Sequence, residues 1–360
     1  MKNTDNVYIE LQKHLDKQAV GFPATESGVE IRILKQLFSP EQASLALHLN
    51  YTPQSTIDIY NSVKNSGVSL EEVKKMLDEM VSNGAIGIME RSGTEYFYTM
   101  PLLVGIAEWC GSIATPQFME DLSEYFNGEF GKAYTSTKVS QMRTIPVEQS
   151  IKVEHHVTTY DHIREIINST DGPISVNPCM CREGARGRGQ PCQVTSRSET
   201  CMIFGDWATH FIKAGSSREV TREEALEIMR QNEADGLVLQ PTNYQKIDFV
   251  CACCGCCCGI LITQKALPKP AETWAHNFFA VVETEMCTGC GTCVDKCQVN
   301  AVTIDEQNDY SVINLDRCIG CGNCVAACPS EALGLVKKEE ETVPPEDRTS
   351  LYKILAEKTP

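Results

Sequence analysis

The chain has 360 residues, a formal charge of −16 and 19 cysteines. The charge argues against nonspecific binding to nucleic acid or acidic lipid, and no run of eighteen apolar residues offers a membrane span. All cysteines but Cys110 lie after residue 178, in C-x-C, CC-x-CCC and C-x-x-C runs, a pattern unlike the short disulfide scaffolds of secreted proteins and suited to metal in a reducing compartment. Residues 1–5 carry no apolar signal-peptide segment, so the expectation is a soluble cytoplasmic protein of an anaerobic host.

Residues 1–29 read as an N-terminal arm with an amphipathic helix around Val7–Lys17. Apolar spacing predicts helices over Ile31–Phe38, Glu41–Leu49 and Gln54–Lys64, the last begun after Pro53. Ser69 and Glu72 form a capping box for a fourth helix, Ser69–Asn83, which ends at Gly84. Two short strands follow, Ala85–Met89 and Tyr96–Met100. Helices followed by a hairpin predict a winged-helix-like domain over 30–110. Such domains often read DNA, but the helix that would enter the groove carries Glu71, Glu72, Asp78 and Glu79 against Lys74 and Lys75. Residues 30–110 hold ten acidic and six basic side chains. A groove-binding helix needs the opposite balance, so the preferred reading is an interaction or scaffold module without nucleic acid.

Residues 111–178 form a connector. Leu102–Ala114 and Gln117–Phe126 read as helical, Gly128–Lys138 as a loop, and Ile145–Val157 as strand-like. Tyr160–Ser169 reads as a helix and Ile174–Val176 as a strand. His155 and His156 would face opposite sides of a strand, as a surface pair more readily than as metal ligands.

Residues 179–280 form a cysteine-rich region. Cys179, Cys181, Cys192 and Cys201 fall within about twenty residues, separated by a glycine- and arginine-rich loop, 183–190. Four thiolates suit a [4Fe–4S] cluster, with zinc as the alternative. Arg182, Arg186 and Arg188 would offset cluster charge and tune it, or grip an anionic substrate through their planar forks. Helices are expected over Asp206–Ala214 and from Thr221 to Asn232, then a strand over Leu237–Leu239. Next comes the densest run, Cys251, Cys253, Cys254, Cys256, Cys257 and Cys258. Six thiols in eight residues must in part bind metal, and spacing does not say which ones.

Residues 281–335 repeat C-x2-C-x2-C-x3-C, the spacing of two-cluster bacterial ferredoxins, in which the fourth cysteine of each run serves the other cluster. Cys287, Cys290, Cys293 and Cys328 are therefore assigned to one [4Fe–4S] cluster, and Cys318, Cys321, Cys324 and Cys297 to the second. Gly289, Gly291, Gly320 and Gly322 allow the tight turns. Gln298 stands where proline is expected after Cys297, whereas Pro329 keeps its place after Cys328. Asn277–Val282 is expected to enter the domain as its first strand. Residues 336–360 read as a solvated linker and a short helix, Ser350–Lys358.

The segment 15–38, the C-x-C-R motif at 179–182, the CC-x-CCC run and the double ferredoxin repeat together resemble a family of soluble 4Fe-4S ferredoxin-type iron–sulfur proteins of anaerobic bacteria and archaea. The resemblance covers nearly the whole chain and implies electron transfer and iron–sulfur binding, without a substrate. The combined reading is a multidomain α+β protein: a helical winged-helix-like N-terminus, a cysteine-rich middle and a two-[4Fe–4S] ferredoxin-like end. It would pass electrons between a redox-partner protein and at least one further iron–sulfur cluster, or zinc, in residues 179–258. It could stand within a larger redox complex. Two alternatives stay open: a reductase acting on a small substrate at the middle cluster near Arg182, and a redox-sensing regulator using the winged-helix module.

Overall fold

Serine residues set the starts of the N-terminal helices. Ser39 with Gln42, Ser55 with Asp58, and Ser69 with Glu72 each close a capping box, heading helices Pro40–Ala46, Thr56–Val63 and Leu70–Ser82. The computed structural model describes residues 4–109, 115–152 and 155–358. Helices Thr4–Asp16 and Val29–Leu37 precede the three capped ones. Strands Ile86–Arg91 and Thr94–Thr99 form an antiparallel hairpin, and Gln54–Ser55 adds to its second strand. Gln54 and Ser55 are thus extended, and the helix expected from Gln54 begins at Thr56, where the Ser55 cap places it.

Two expectations further along are corrected. The loop expected over Gly128–Lys138 contains a helix, Glu129–Ser136. Phe130 packs on Tyr125 at 5.3 Å between ring centroids and on Tyr134 at 6.2 Å, and this aromatic packing outweighs the local glycine signals. The helix expected over Leu102–Ala114 is interrupted: Leu103, Val104 and Gly105 have non-helical backbone, and a short helix, Ala107–Trp109, follows. The Glu108 carboxylate accepts the Gly105 N–H at 2.9 Å, which stabilises the break. The rest of that expected helix, residues 110–114, lies outside the described residues.

The chain divides into two compact units, residues 1–137 with 348–360, and residues 138–347. The C-terminal helix Arg348–Lys358 belongs to the first unit, burying Leu351 and Leu355 and laying the Arg348 guanidinium over the Tyr98 ring at 4.2 Å.

The second unit is built on a five-stranded antiparallel sheet in the order Arg218–Val220, Ile174–Pro178, Glu199–Phe204, Phe249–Cys253, Val238–Pro241. Ile174, Val176, Met202, Leu239 and Val250 form its buried core with Ile228 and Met229 from helix Arg222–Ala234. The strand expected over Ile145–Val157 is not formed. Only Arg143–Thr144 is a strand, parallel to Ala275–His276, and residues 153–154 lie outside the described residues. Pro146 cannot donate to a ladder, and the flanking N–H groups bond elsewhere: Ile145 to the Leu239 carbonyl, Val147 to that of Cys321.

The ferredoxin-like part pairs Phe278–Val282 with Leu333–Lys337 and Val302–Asp305 with Tyr310–Ile313. The start of its first strand is tied to strand Arg143–Thr144 by a buried lock. Arg143 and Asp161 form an ion pair with 0% and 1% of their side chains exposed. Asn277, just before the strand, donates to the other Asp161 oxygen at 2.7 Å. The segment expected as a solvated linker is strapped down as well: Asn277 Oδ1 accepts the Thr342 N–H at 2.8 Å, and the Pro345 carbonyl accepts that of Gln245 at 2.8 Å.

Asp161→Ala would leave Arg143 buried and unpaired, so the expected loss of stability is about 3–5 kcal/mol. Denaturant unfolding of the full chain measures it; a loss below about 1 kcal/mol would show that the lock is not structural.

Candidate metal centres

The two ferredoxin-like halves place their cysteines by the same local geometry. In each, two glycines take left-handed backbone: Gly289 and Gly291 at φ 63° and 79°, Gly320 and Gly322 at φ 67° and 77°. Short helices Thr292–Lys296 and Asn323–Ala326 follow. Backbone N–H groups from the strands and from beyond the first helix also meet sulfur: Ser311 N donates to Cys287 Sγ at 3.4 Å, Ala280 N to Cys318 Sγ at 3.4 Å, and Ala301 N to Cys297 Sγ at 3.1 Å. The Gly289 N–H is the main cause that lowers the Cys287 thiol pKa, and Thr292 lowers that of Cys290. Burial raises Cys318, Cys321 (to about 12) and Cys324, and the nearby Cys297 sulfur raises each of them further. Cys297 therefore lies beside the second half's three cysteines. Cys328 Sγ contacts Ser330 Oγ at 3.6 Å. The donor set fits thiolate-bound clusters: sulfur is the only ligand type, and backbone N–H groups meet it.

The halves differ in exposure. Cys290 is exposed, and Met286, Val294 and Leu315 are exposed on the surface at 49%, 36% and 56%. Cys318 and Cys324 are buried, and the second half packs on the sheet. Asn323 Nδ2 donates to the Gly236 carbonyl at 2.9 Å. Arg317, next to Cys318, donates to the carbonyls of Lys265 at 2.8 Å, Leu267 at 3.1 Å and Val299 at 3.1 Å. Gln298, the residue that breaks the ferredoxin pattern, accepts the Gly255 N–H at 2.8 Å. That bond joins the residue after Cys297 to the middle of the CC-x-CCC run, which a proline there could not do.

The ten middle cysteines divide in space otherwise than by sequence proximity. Six of them lie beside one another in a closed ring, each thiol interacting with two neighbours. Cys179 neighbours Cys181 and Cys201, Cys181 neighbours Cys258, Cys258 neighbours Cys253, Cys253 neighbours Cys251, and Cys251 returns to Cys201. The remaining four, Cys192, Cys254, Cys256 and Cys257, gather with all sulfurs within 4.8 Å of one another. The expected quartet of Cys179, Cys181, Cys192 and Cys201 is thus not a spatial unit: Cys192 pairs with Cys254 at 3.6 Å and with Cys256 at 3.7 Å.

Local structure explains the division. Cys251 and Cys253 alternate with Ala252 on strand Phe249–Cys253, so both point to one face. The Met202–Val250 pairing places Cys201 of the adjacent strand next to them. Cys179 and Cys258 are the N-cap residues of helices Met180–Gly187 and Gly259–Ala266. Cys254, Cys256 and Cys257 lie in the turn beyond the strand and swing away from that face. Around the ring the thiols alternate in acidity. The neighbouring Cys181 thiol brings Cys179 and Cys258 well down, and Cys201 brings Cys251 to about 6. Cys181, Cys201 and Cys253 are pushed well up. The N–H groups of Arg182 and Leu261, in the first turns of the two helices, add to the lowering.

Arg182 lies between the two thiol groups. It is 1% exposed, donates to the Ala252 carbonyl at 2.7 Å and to Thr200 Oγ1, and bonds Cys192. Burial opposes its charge, yet the Cys179 and Cys254 sulfurs hold it above its ordinary value. The segment read as a loop from Glu183 is helical as far as Gly187, and this helix turns Arg182 inward. Arg186 faces away and pairs with Glu183 at 2.9 Å, and Arg188 is exposed. His155 accepts the Lys152 N–H at 2.9 Å and adjoins neither thiol group.

Residues 286–332 match the 4Fe-4S dicluster domain family. No curated protein matches the chain. The matched domain and the many cysteines make this an iron–sulfur, ferredoxin-type protein, and they support an electron-transfer role. Among the described residues, no helix is long and apolar enough to cross a membrane.

A side chain at Gly320 would place its Cβ 2.1 Å from the Phe278 carbonyl oxygen on left-handed backbone, whereas one at Gly291 meets nothing within 4 Å. Gly320→Ala is therefore expected to lose the iron of the buried half, and Gly291→Ala to keep its iron with only about 1 kcal/mol of backbone strain. Iron per chain after anaerobic reconstitution checks both; full loading of Gly320→Ala would contradict this packing.

Proposed function

We propose that the protein carries electrons between an external redox partner and the six-cysteine ring, by way of the ferredoxin-like domain. The observation that supports this most is the Gln298–Gly255 hydrogen bond, which joins the buried ferredoxin half to the run that supplies half of the ring. In this reading Cys287, Cys290, Cys293 and Cys328 hold one [4Fe–4S] cluster, and Cys318, Cys321, Cys324 and Cys297 hold the other. A bound cluster of this kind supplies one-electron transfer. The exposed Cys290 edge, with the exposed Met286 and Val294 of the same half, faces the partner. Cys297 and Gln298 lead inward by covalent bonds and one hydrogen bond to Gly255, and from there along the chain to Cys253.

The ring offers more thiolates than one ion or one cubane takes. We assign it a polynuclear iron–sulfur centre ligated by members of Cys179, Cys181, Cys201, Cys251, Cys253 and Cys258. Arg182 offsets the negative charge of that centre and so favours its reduced state. Its burial and its bonds to Thr200 and Ala252 leave no free fork for a substrate, which favours charge tuning over the reductase reading. The N-terminal region, with winged-helix-like element order, serves as a protein-interaction module. Its helix Leu70–Ser82 presents Glu71, Glu72, Asp78 and Glu79, a surface that repels a phosphate backbone.

Cys253→Ser is expected to abolish the ring's spectroscopic signal while the ferredoxin-domain clusters still accept electrons from a chemical reductant. Anaerobic electron paramagnetic resonance during stepwise reduction reads both. An unchanged full spectrum would refute the assignment. The holoprotein should also fail to retain duplex DNA at moderate salt in an anaerobic mobility-shift assay; a sequence-specific, salt-resistant complex would instead establish the regulator.

A further inference from the structure

The four cysteines outside the ring have a geometry of their own. Cys192 Sγ lies 3.6 Å from Cys254 Sγ and 3.7 Å from Cys256 Sγ, and Cys256 Sγ lies 3.6 Å from those of Cys254 and Cys257. A tetrahedral ion with metal–sulfur bonds of about 2.3 Å sets its ligand sulfurs about 3.8 Å apart. A four-iron cube sets each thiolate on a separate corner iron, so its ligand sulfurs are spaced by an iron–iron edge as well as by two iron–sulfur bonds. Four irons and four sulfides do not fit inside a tetrahedron with four edges of 3.6–3.7 Å and none above 4.8 Å. Among the described residues no other group of three or more cysteine, histidine or acidic ligand atoms is this tight.

The surroundings agree with the spacing. Cys254 and Cys257 are buried and Cys192 and Cys256 half-buried, so the site is nearly closed, as structural tetrathiolate sites are. The Arg182 guanidinium bonds Cys192 and has no carboxylate partner among the described residues. A buried cation without a counter-charge is costly, and ligated thiolates supply that counter-charge. The four sulfurs converge from segments 62 to 65 residues apart in sequence, at the edge of the apolar core that holds Cys254 and Cys257, and Cys192 turns in to them between the exposed Pro191 and Gln193.

We propose that Cys192, Cys254, Cys256 and Cys257 bind one tetrahedral metal ion, Zn2+ or Fe2+, as a mononuclear site separate from every iron–sulfur cluster of the chain. The ion cross-links the segment after helix Met180–Gly187 to the 254–257 turn. It thereby holds Gly255 against Gln298 and orients the last residues of the ring strand. The site stands apart from the electron-transfer reading, because its ligands are not those of the ring or of the ferredoxin-like domain.

The test uses the anaerobically purified full chain. Metals and acid-labile sulfide are counted together, and X-ray absorption is recorded at the zinc and iron edges. The expected result is one ion per chain not matched by sulfide, in a shell of four sulfurs at about 2.3 Å. Zinc in that shell marks a purely structural site; iron marks one that also takes an electron. Cys256→Ser should lose about that one ion and retain the sulfide-matched iron. Should the variant misfold, the wild-type metal-to-sulfide balance and absorption spectra decide the matter alone. All iron matched by sulfide with no zinc present would overturn the proposal, as would loss of several irons with equal sulfide from Cys256→Ser. Loss of the ring's signal in Cys253→Ser with the lone ion retained would show that the two sites are independent.

Discussion

The second unit depends on balancing buried negative charge. Eight of its eighteen cysteines are buried, a cysteine that binds metal becomes an anion, and a buried anion without compensation is costly. The ferredoxin-like halves meet this with backbone: Gly289 and Ser311 turn N–H groups onto Cys287, Gly320 and Ala280 onto Cys318, and Ala301 onto Cys297. The middle region meets it with Arg182, a single guanidinium placed where it serves both thiol groups, and with the N-termini of two eight-residue helices. One cation shared between two sites also couples them. Any change in the charge of one is felt by the other through the same side chain.

That arrangement gives the ferredoxin-like domain a direction. Its exposed half presents Cys290 and a rim of apolar side chains, while its buried half is fastened by Arg317, Asn323 and Gln298. These three sit next to Cys318, Cys324 and Cys297. Each fastening residue is thus one bond from a cysteine of the inner set, so packing against the sheet and placement of the ligands are a single structural event. The Arg143–Asp161–Asn277 lock acts where the first ferredoxin strand begins, just after Ala275–His276 pairs with Arg143–Thr144.

Much of this was legible in the sequence where the information is local. The double C-x2-C-x2-C-x3-C repeat, its four glycines and the capping boxes at Ser39, Ser55 and Ser69 each act within a few residues. The break in pattern at Gln298 was visible too, but its partner Gly255 lies 43 residues away and is not marked by any motif. The division of the middle cysteines was hidden for the same reason. Proximity in sequence groups Cys192 with Cys179 and Cys181, whereas the turn after Cys253 carries Cys254 and Cys256 across to it. The period-2 spacing of Cys251 and Cys253 about Ala252 held part of the answer, because it marks a strand that sends both thiols to one face. The glycines and arginines after Cys181 suggested a loop, yet tertiary packing made a helix and buried Arg182. His155 and His156, adjacent and conspicuous, take no part in either site.

The claim on which the account turns is that the middle region holds iron of its own, in an environment distinct from that of the ferredoxin-like domain. Mössbauer spectroscopy of the 57Fe-labelled full chain measures this directly. The account predicts iron beyond the about eight atoms of two [4Fe–4S] clusters, with a separate subspectrum that vanishes when Cys181 is replaced by serine. A spectrum fully described by two ferredoxin clusters, identical in wild type and Cys181→Ser, would contradict it.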